Sequence, residues 1–181
     1  MNPRTPDPAL RAELLERLDR DQRAREAFFD GGGRDWSPVA EVDRDNRAFL
    51  APVIDRHGWL GSDLVGEDGA HACWLLVQHA EPEQRAAWLP LMQDAVNARH
   101  ADRRDLAYLE DRVNLDHNRP QVYGTQGFAT SGDGEARLWP TIDPAGLNER
   151  RRAVGLSPLD DMTVANAWTL EEIAAWKSGS A

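Results

Sequence analysis

The chain has 181 residues, of which 41% are apolar and 29% charged, and its formal net charge is −10 at pH 7. This length fits about one domain with its own core, and the acidity argues against a nucleic-acid binder, which needs clustered positive charge. The single cysteine, Cys73, excludes an internal disulfide and a multi-cysteine zinc site. Because no run approaches ~20 apolar residues and the N-terminus has no apolar signal segment, we expect a cytoplasmic protein without a membrane span.

Apolar residues recur at helical spacing through most of the chain. Three prolines within residues 1–8 predict a flexible N-terminal arm. The spacing that follows predicts five main helices, and glycine or proline marks the ends of the first three. These predicted helices cover about residues 8–29, 39–57, 66–80, 82–100 and 103–113.

The pattern changes after the fifth predicted helix. Residues 121–128 and 135–142 are rich in β-favouring side chains, and Ser131-Gly132-Asp133-Gly134 between them is a strong turn signal. The sequence therefore predicts a small β-hairpin at about 121–142. The predicted fold class is mainly α (α+β): a single domain over residues 9–181, in which a bundle of about five main helices packs against this hairpin.

Two polar residues, Gln78 and His79, lie at the end of the most apolar of the predicted helices. Buried polar groups without partners cost ~1–3 kcal/mol each, so these side chains need partners or a cleft. His79 is either a structural histidine or, because an unperturbed imidazole titrates near neutral pH, a group for proton transfer or ligand binding. His71 lies two helical turns away, ~11 Å by rise, and a lone Glu67–His71 pair at i,i+4 spacing does not predict a metal site.

Asp111 and Arg112 close the fifth predicted helix. They are either an exposed pair at a helix end or groups that orient an imidazole and hold an anion. Two other charged segments are expected at the surface. Asp21 and Arg25 have the i,i+4 spacing of an exposed salt bridge, and the run Arg150-Arg151-Arg152 either binds an anion or, as we favour, forms a solvated helix face.

Neutral polar side chains gather after residue 120. By strand alternation Gln121, Tyr123 and Thr125 share one face, and Gly124 between them lets another group approach the backbone closely. Together with Gln126, they offer the amide, phenol and hydroxyl groups that suit a polar small molecule. The alternative is the polar outer face of an edge hairpin.

Many of these residues lie in segments that resemble an uncharacterised bacterial family of small, mainly helical proteins, a domain of unknown function. The resemblance covers roughly residues 14–159 and brings no established reaction with it. Its matching segments include Asp21-Gln22 with Arg25, Val42-Asp43 with Asn46, Trp74 to Ala80, Asp111-Arg112-Val113, and Gln121 with Tyr123-Gly124-Thr125-Gln126. The resemblance implies a shared fold and one polar cluster made of His79, Asp111, Arg112, Gln121, Tyr123 and Gln126.

The leading hypothesis is an enzyme of bacterial metabolism that acts on a small polar or anionic molecule without a cofactor. His79 would be the general acid or base, Asp111 would orient its imidazole, and Arg112 would hold an anionic substrate group. Hydrolysis or another proton transfer fits these groups better than redox chemistry, for which the sequence has no cofactor motif. Contacts to the substrate would come from Gln121, Tyr123 and Gln126.

The second hypothesis is a non-catalytic binding or protein-interaction module. The net charge of −10 would attract a basic partner, and the seven tryptophans offer interface anchors. An enzyme should have His79 in the wall of a pocket. An interaction module should have an exposed apolar patch, with His79 satisfied inside the fold.

Overall fold

The computed structural model of the chain describes residues 4–128 and 137–179. Within these residues it has eight helices and two short strands, which confirms the prediction of a mainly α-helical chain. The chain divides into two compact units, Met1–Asp102 and Arg103–Ala181. The finer predictions, a single domain and one bundle of five main helices, stay predictions. None of the helices in the described ranges has the length and apolar character that crossing a membrane requires.

The first unit contains the four helices α1 (Pro8–Asp30), α2 (Ser37–His57), α3 (Ser62–Gln78) and α4 (Pro82–Asn97). Helix α1 packs against both α2 and α3. Helix α3 is interrupted at Gly66, whose φ of 72° and ψ of 171° lie outside the helical region. This positive φ is open to glycine at little cost, so a short first turn can precede the main part of α3.

Apolar side chains from these helices form the core of the first unit. The core includes Leu14, Leu50, Ile54, Leu60, Leu76 and Val77. Cys73 is also completely buried, and burial raises the pKa of its thiol to about 12. A thiol that is protonated at neutral pH is a poor nucleophile, so Cys73 is a packing residue.

Residues 4–7 of the predicted flexible arm are held against the start of α3. The Arg4 guanidinium binds the Asp63 carboxylate and donates to the backbone oxygens of His57 and Trp59. The Asp7 amide donates to the Leu64 carbonyl at 2.8 Å, and the Asp7 side chain caps α1. These contacts tie the arm to the first unit from Arg4 onward.

The second unit is built around α5, and its irregular segments are longer. Strands β1 and β2 pair in antiparallel fashion, with Gly127 opposite Leu138. The turn predicted at residues 131–134 lies outside the described residues. Gly124, at φ 62°, packs so closely that a Cβ there would lie 3.3 Å from Leu138 and Leu147 side chains. The elements are α5 (Arg103–Asp116), β1 (Gly127–Phe128), β2 (Arg137–Leu138), α6 (Leu147–Ala153), α7 (Asp161–Ala165) and α8 (Leu170–Lys177).

Candidate functional site

Three helices of the first unit bring charged side chains together. Asp21 lies on α1, Asp43 lies on α2, and His79 is the residue that ends α3. His79 Nδ1 is 3.1 Å from Asp21 Oδ1. The Arg25 guanidinium donates to Asp43 Oδ1 at 2.5 Å and to both Asp21 oxygens at 3.2 Å. We call Asp21, Arg25, Asp43 and His79 the Asp–His cluster.

The helix periods place these side chains on buried faces. Asp21 and Arg25 lie one turn apart on α1, where residues four apart are neighbours. Asp43 belongs to the buried face of α2, which also carries Val39, Asn46, Leu50 and Ile54. Packing of this face and of α3 against α1 therefore brings the charged groups together inside the first unit.

The expectation that Asp21 and Arg25 form an exposed salt bridge is wrong. The Asp21 side chain has no solvent exposure, and that of Arg25 retains 16%. Spacing within α1 fixes the pair but not which side of the helix the rest of the chain covers. The i,i+4 spacing therefore identified Asp21 and Arg25 as partners but did not predict that the pair is buried.

The surroundings favour an ionised Asp21. Burial opposes ionisation, but hydrogen bonds from His79 and Arg25 outweigh it, and the pKa of Asp21 lies below its ordinary value. Burial raises the pKa of Asp43, although the Arg25 charge opposes this shift. The carboxylate against His79 is thus charged at neutral pH.

An ionised Asp21 determines which ring nitrogen of a neutral His79 carries the proton. The carboxylate can only accept, so the neutral ring donates Nδ1–H to it. The lone pair is then on Nε2, and the His79 side chain is 20% exposed. This pairing holds the ring and leaves Nε2 as the basic atom.

Asn46 lies one turn after Asp43 on the buried face of α2. Its head group accepts a 3.4 Å hydrogen bond from Arg17 Nη1, one turn before Asp21 on α1. Asn46 is 2% exposed, and its Nδ2 has no hydrogen-bond partner among the described residues. A buried donor in this state costs ~1–3 kcal/mol unless another molecule accepts its hydrogen bond.

In the second unit, Asp111 organises a loop. Its buried carboxylate accepts hydrogen bonds from the amides of Val122 at 2.7 Å, Tyr123 at 3.1 Å and Thr125 at 3.0 Å, and from the Thr125 hydroxyl at 2.9 Å. Burial raises the pKa of Asp111, although these hydrogen bonds oppose the shift. Asp111 was predicted to orient His79, but the carboxylate that contacts His79 in the structure is that of Asp21.

Gln121 and Gln126 serve the same loop. Gln121 Nε2 donates to the carbonyls of Gln126 at 3.0 Å and Trp139 at 2.7 Å, and Gln121 Oε1 accepts from the Gln126 amide at 2.8 Å. Gln126 Nε2 donates to Thr125 Oγ1 at 3.0 Å. Gln121 therefore joins the backbone at residue 126 to the backbone at residue 139, and Gln126 supports the Thr125 side chain.

The remaining predicted site residues also lie in the second unit. The backbone of Tyr123 contacts Asp111, and burial raises the pKa of the Tyr123 phenol. Arg112 is half-buried on α5. The structure thus brings Asp111, Gln121, Tyr123 and Gln126 together within this unit. A site that joins them to His79 stays a prediction.

The expectation of a solvated face for Arg150-Arg151-Arg152 is wrong for Arg151. Its guanidinium is buried and donates to the carbonyls of Tyr123 at 2.7 Å, Gly124 at 3.0 Å and Ser157 at 2.6 Å. The hydrogen bonds of the Arg151 guanidinium thus go to backbone carbonyls rather than to an anion. Arg150 also reaches this loop, through the carbonyl of Val122.

Sequence reasoning missed Asp43 and gave Asp21 no functional role. A signal for both was available, because Asp21, Arg25, Asp43, Asn46 and His79 all belong to segments that carry the family resemblance. Reading those segments together would have favoured this site.

The model of a family of unknown function, DUF6624, matches residues 8–171. This match confirms the resemblance to an uncharacterised domain family. No curated protein and no solved structure matches the chain.

Proposed function

Because the chain belongs to the DUF6624 family, whose function is unknown, we propose a function from its own residues: an enzyme that uses His79 as a general acid or base on a small polar or anionic molecule. The observation that carries this proposal is the 3.1 Å contact between His79 Nδ1 and a buried, ionised Asp21. An imidazole held in this way has one defined basic nitrogen.

The proposed reaction is hydrolysis or a related proton transfer. Nε2 of His79 accepts a proton from water or from the substrate and returns it to the leaving group. Asp21 stabilises the imidazolium formed in between, a role that the sequence assigned to Asp111. Such a base contributes about 10²–10⁴-fold to a rate.

Two further groups support a polar substrate beside His79. The Nδ2 of Asn46 is a buried donor without a partner among the described residues. The Arg25 side chain is 16% exposed and carries positive charge beside Asp21. We therefore assign to Arg25 the anion-binding role that was predicted for Arg112.

We expect His79→Gln to lower turnover by about 10²–10⁴-fold. A panel of chromogenic esters, amides and phosphate esters, assayed with EDTA present, provides the measurement. His71→Gln is the matched control, because His71 is an exposed histidine on the same helix. Turnover that survives in His79→Gln, or that falls equally in His71→Gln, would contradict the proposal.

The second candidate is a binding module in which His79 is structural. Exposed aromatic side chains favour it, since Phe29 is 70% and Trp36 is 45% exposed. This candidate predicts that His79→Gln loses more than ~2 kcal/mol of unfolding free energy, as expected for a broken buried network. The enzyme proposal predicts a loss below ~2 kcal/mol, because Arg25 still donates to Asp21 and glutamine retains a hydrogen-bond donor. Urea denaturation of the same variant separates the two.

A further inference from the structure

The Asp–His cluster contains the donor set of a metal site. One carboxylate oxygen of Asp21, one of Asp43 and one ring nitrogen of His79 all lie within 4.8 Å of one another. Carboxylate and imidazole are ligands of divalent transition metals such as Mn²⁺, Co²⁺ and Zn²⁺. Bonds to such ions measure ~2.0–2.2 Å, so donors on opposite sides of an ion are about 4.2 Å apart. Small side-chain movements would therefore close the site.

The cluster already holds a cation, the guanidinium of Arg25. With both carboxylates ionised and the ring neutral, one positive charge against two negative charges leaves a net charge of −1. The contacts of Arg25 to Asp21 measure 3.2 Å, longer than the ~2.7–2.9 Å of strong charge-assisted hydrogen bonds. Arg25 also donates to Asp43 Oδ1 at 2.5 Å, and its side chain is 16% exposed, so metal binding requires this contact to break and the guanidinium to move outward. A divalent ion would compete with it for the same oxygens.

Asn46 supplies a second, independent observation. It lies one turn after Asp43 on the buried face of α2, and its hydrogen bond with Arg17 places its head group between α1 and α2. Its Nδ2 is a buried donor without a partner in the part of the chain that the structure describes. A water molecule bound to an ion at the cluster would accept this hydrogen bond.

We propose that a divalent transition-metal ion binds Asp21, Asp43 and His79, with Arg25 displaced outward and a water ligand accepting from Asn46. This inference goes beyond the proposed function, which uses the metal-free ring. An ion at the cluster would take the lone pair of one ring nitrogen of His79. Metal loading therefore competes with proton transfer by His79.

The test is a titration of the full chain, stripped with EDTA, with Co²⁺ followed by visible absorption and with Mn²⁺ followed by calorimetry. We expect one saturable site per chain, and at least a tenfold loss of affinity in Asp43→Asn and in His79→Gln. Arg25→Gln should bind metal more tightly, because the competing cation is gone. Asp55→Asn is the control, since Asp55 is an exposed carboxylate on α2 that lies outside the cluster.

Far-ultraviolet circular dichroism of each variant verifies that it is folded before titration. Absence of saturable binding in the wild-type chain, or binding that survives in folded Asp43→Asn, overturns the proposal. Binding that appears only in Arg25→Gln also overturns it, because the guanidinium would then hold the cation position permanently. These readouts need no substrate, and the acid–base assay contains EDTA, so the failure of one proposal is distinguishable from failure of the other.

Discussion

Asp111→Asn is expected to lower the free energy of unfolding by roughly 3 kcal/mol or more, because hydrogen bonds to a charged group contribute ~1.5–3 kcal/mol and several are lost together. The carboxylate accepts from three backbone amides and from the Thr125 hydroxyl. An asparagine side chain has one acceptor oxygen in place of two. Its NH₂ group would face backbone N–H donors and could form no hydrogen bond with them. Urea denaturation followed by circular dichroism measures the loss.

Glu149→Gln is the matched control for this variant, because Glu149 is an exposed acid on α6 in the same unit. Its effect should stay within about 0.5 kcal/mol. Amide hydrogen exchange adds a local readout: the amides of Val122, Tyr123 and Thr125 should exchange faster in Asp111→Asn. Stability within 1 kcal/mol of the wild type, on the order of a single neutral hydrogen bond, would contradict the role assigned to Asp111.

Asp21→Asn is expected to lower the free energy of unfolding at pH 7 by about 2–3 kcal/mol, because it removes a buried charge that accepts from His79 and Arg25. The effect should depend on pH. The pKa of Asp21 is lower in the folded chain than its ordinary value. Its contribution is therefore fully present above the unfolded value of ~4 and is lost as the pH falls through the folded pKa.

Urea denaturation between pH 3 and pH 7 gives the measurement. The difference between wild type and Asp21→Asn should shrink toward the acid end of this range. Asp55→Asn, in which an exposed carboxylate on α2 is replaced, should differ little from the wild type at either end. A difference that stays constant or grows on acidification would mean that Asp21 is not held ionised by its partners.

Helix positions followed well from local patterns, since apolar spacing and glycine or proline punctuation are local. The first helix was expected at residues 8–29 and is Pro8–Asp30; the fifth was expected at 103–113 and is Arg103–Asp116. The end of α5 was placed short because no glycine or proline marks it. Local patterns therefore predict where helices lie better than where an unmarked helix ends.

The candidate site was harder to predict, because it depends on contacts between distant segments. His79 was identifiable as a polar residue at the end of an apolar helix, but its partner Asp21 lies 58 residues earlier in the chain. The identity of that partner follows from how α1 packs, which no local period encodes. A sequence indicates that a polar group needs a partner, and the fold decides which one.

The residues of the second unit illustrate the same limit of sequence patterns. Asp111 was singled out to orient His79, and Gln121 and Gln126 were singled out as substrate contacts. In the structure Asp111 and Gln121 bind backbone groups of the segment that follows α5, and Gln126 binds the Thr125 hydroxyl. Some buried carboxylates accept hydrogen bonds from backbone amides, and others orient a catalytic histidine. The two kinds have the same sequence signature, because both are acids beside apolar residues.

The central claim is that Asp21 holds His79 with its proton on Nδ1 and its lone pair on Nε2. A long-range ¹H–¹⁵N nuclear magnetic resonance spectrum of the histidine rings tests it most directly, recorded with EDTA across the titration of the ring and assigned with His79→Gln. The account predicts that the neutral His79 ring is protonated at Nδ1 and bare at Nε2. A neutral ring protonated at Nε2 would contradict it, because the atom proposed to accept the proton would already carry one.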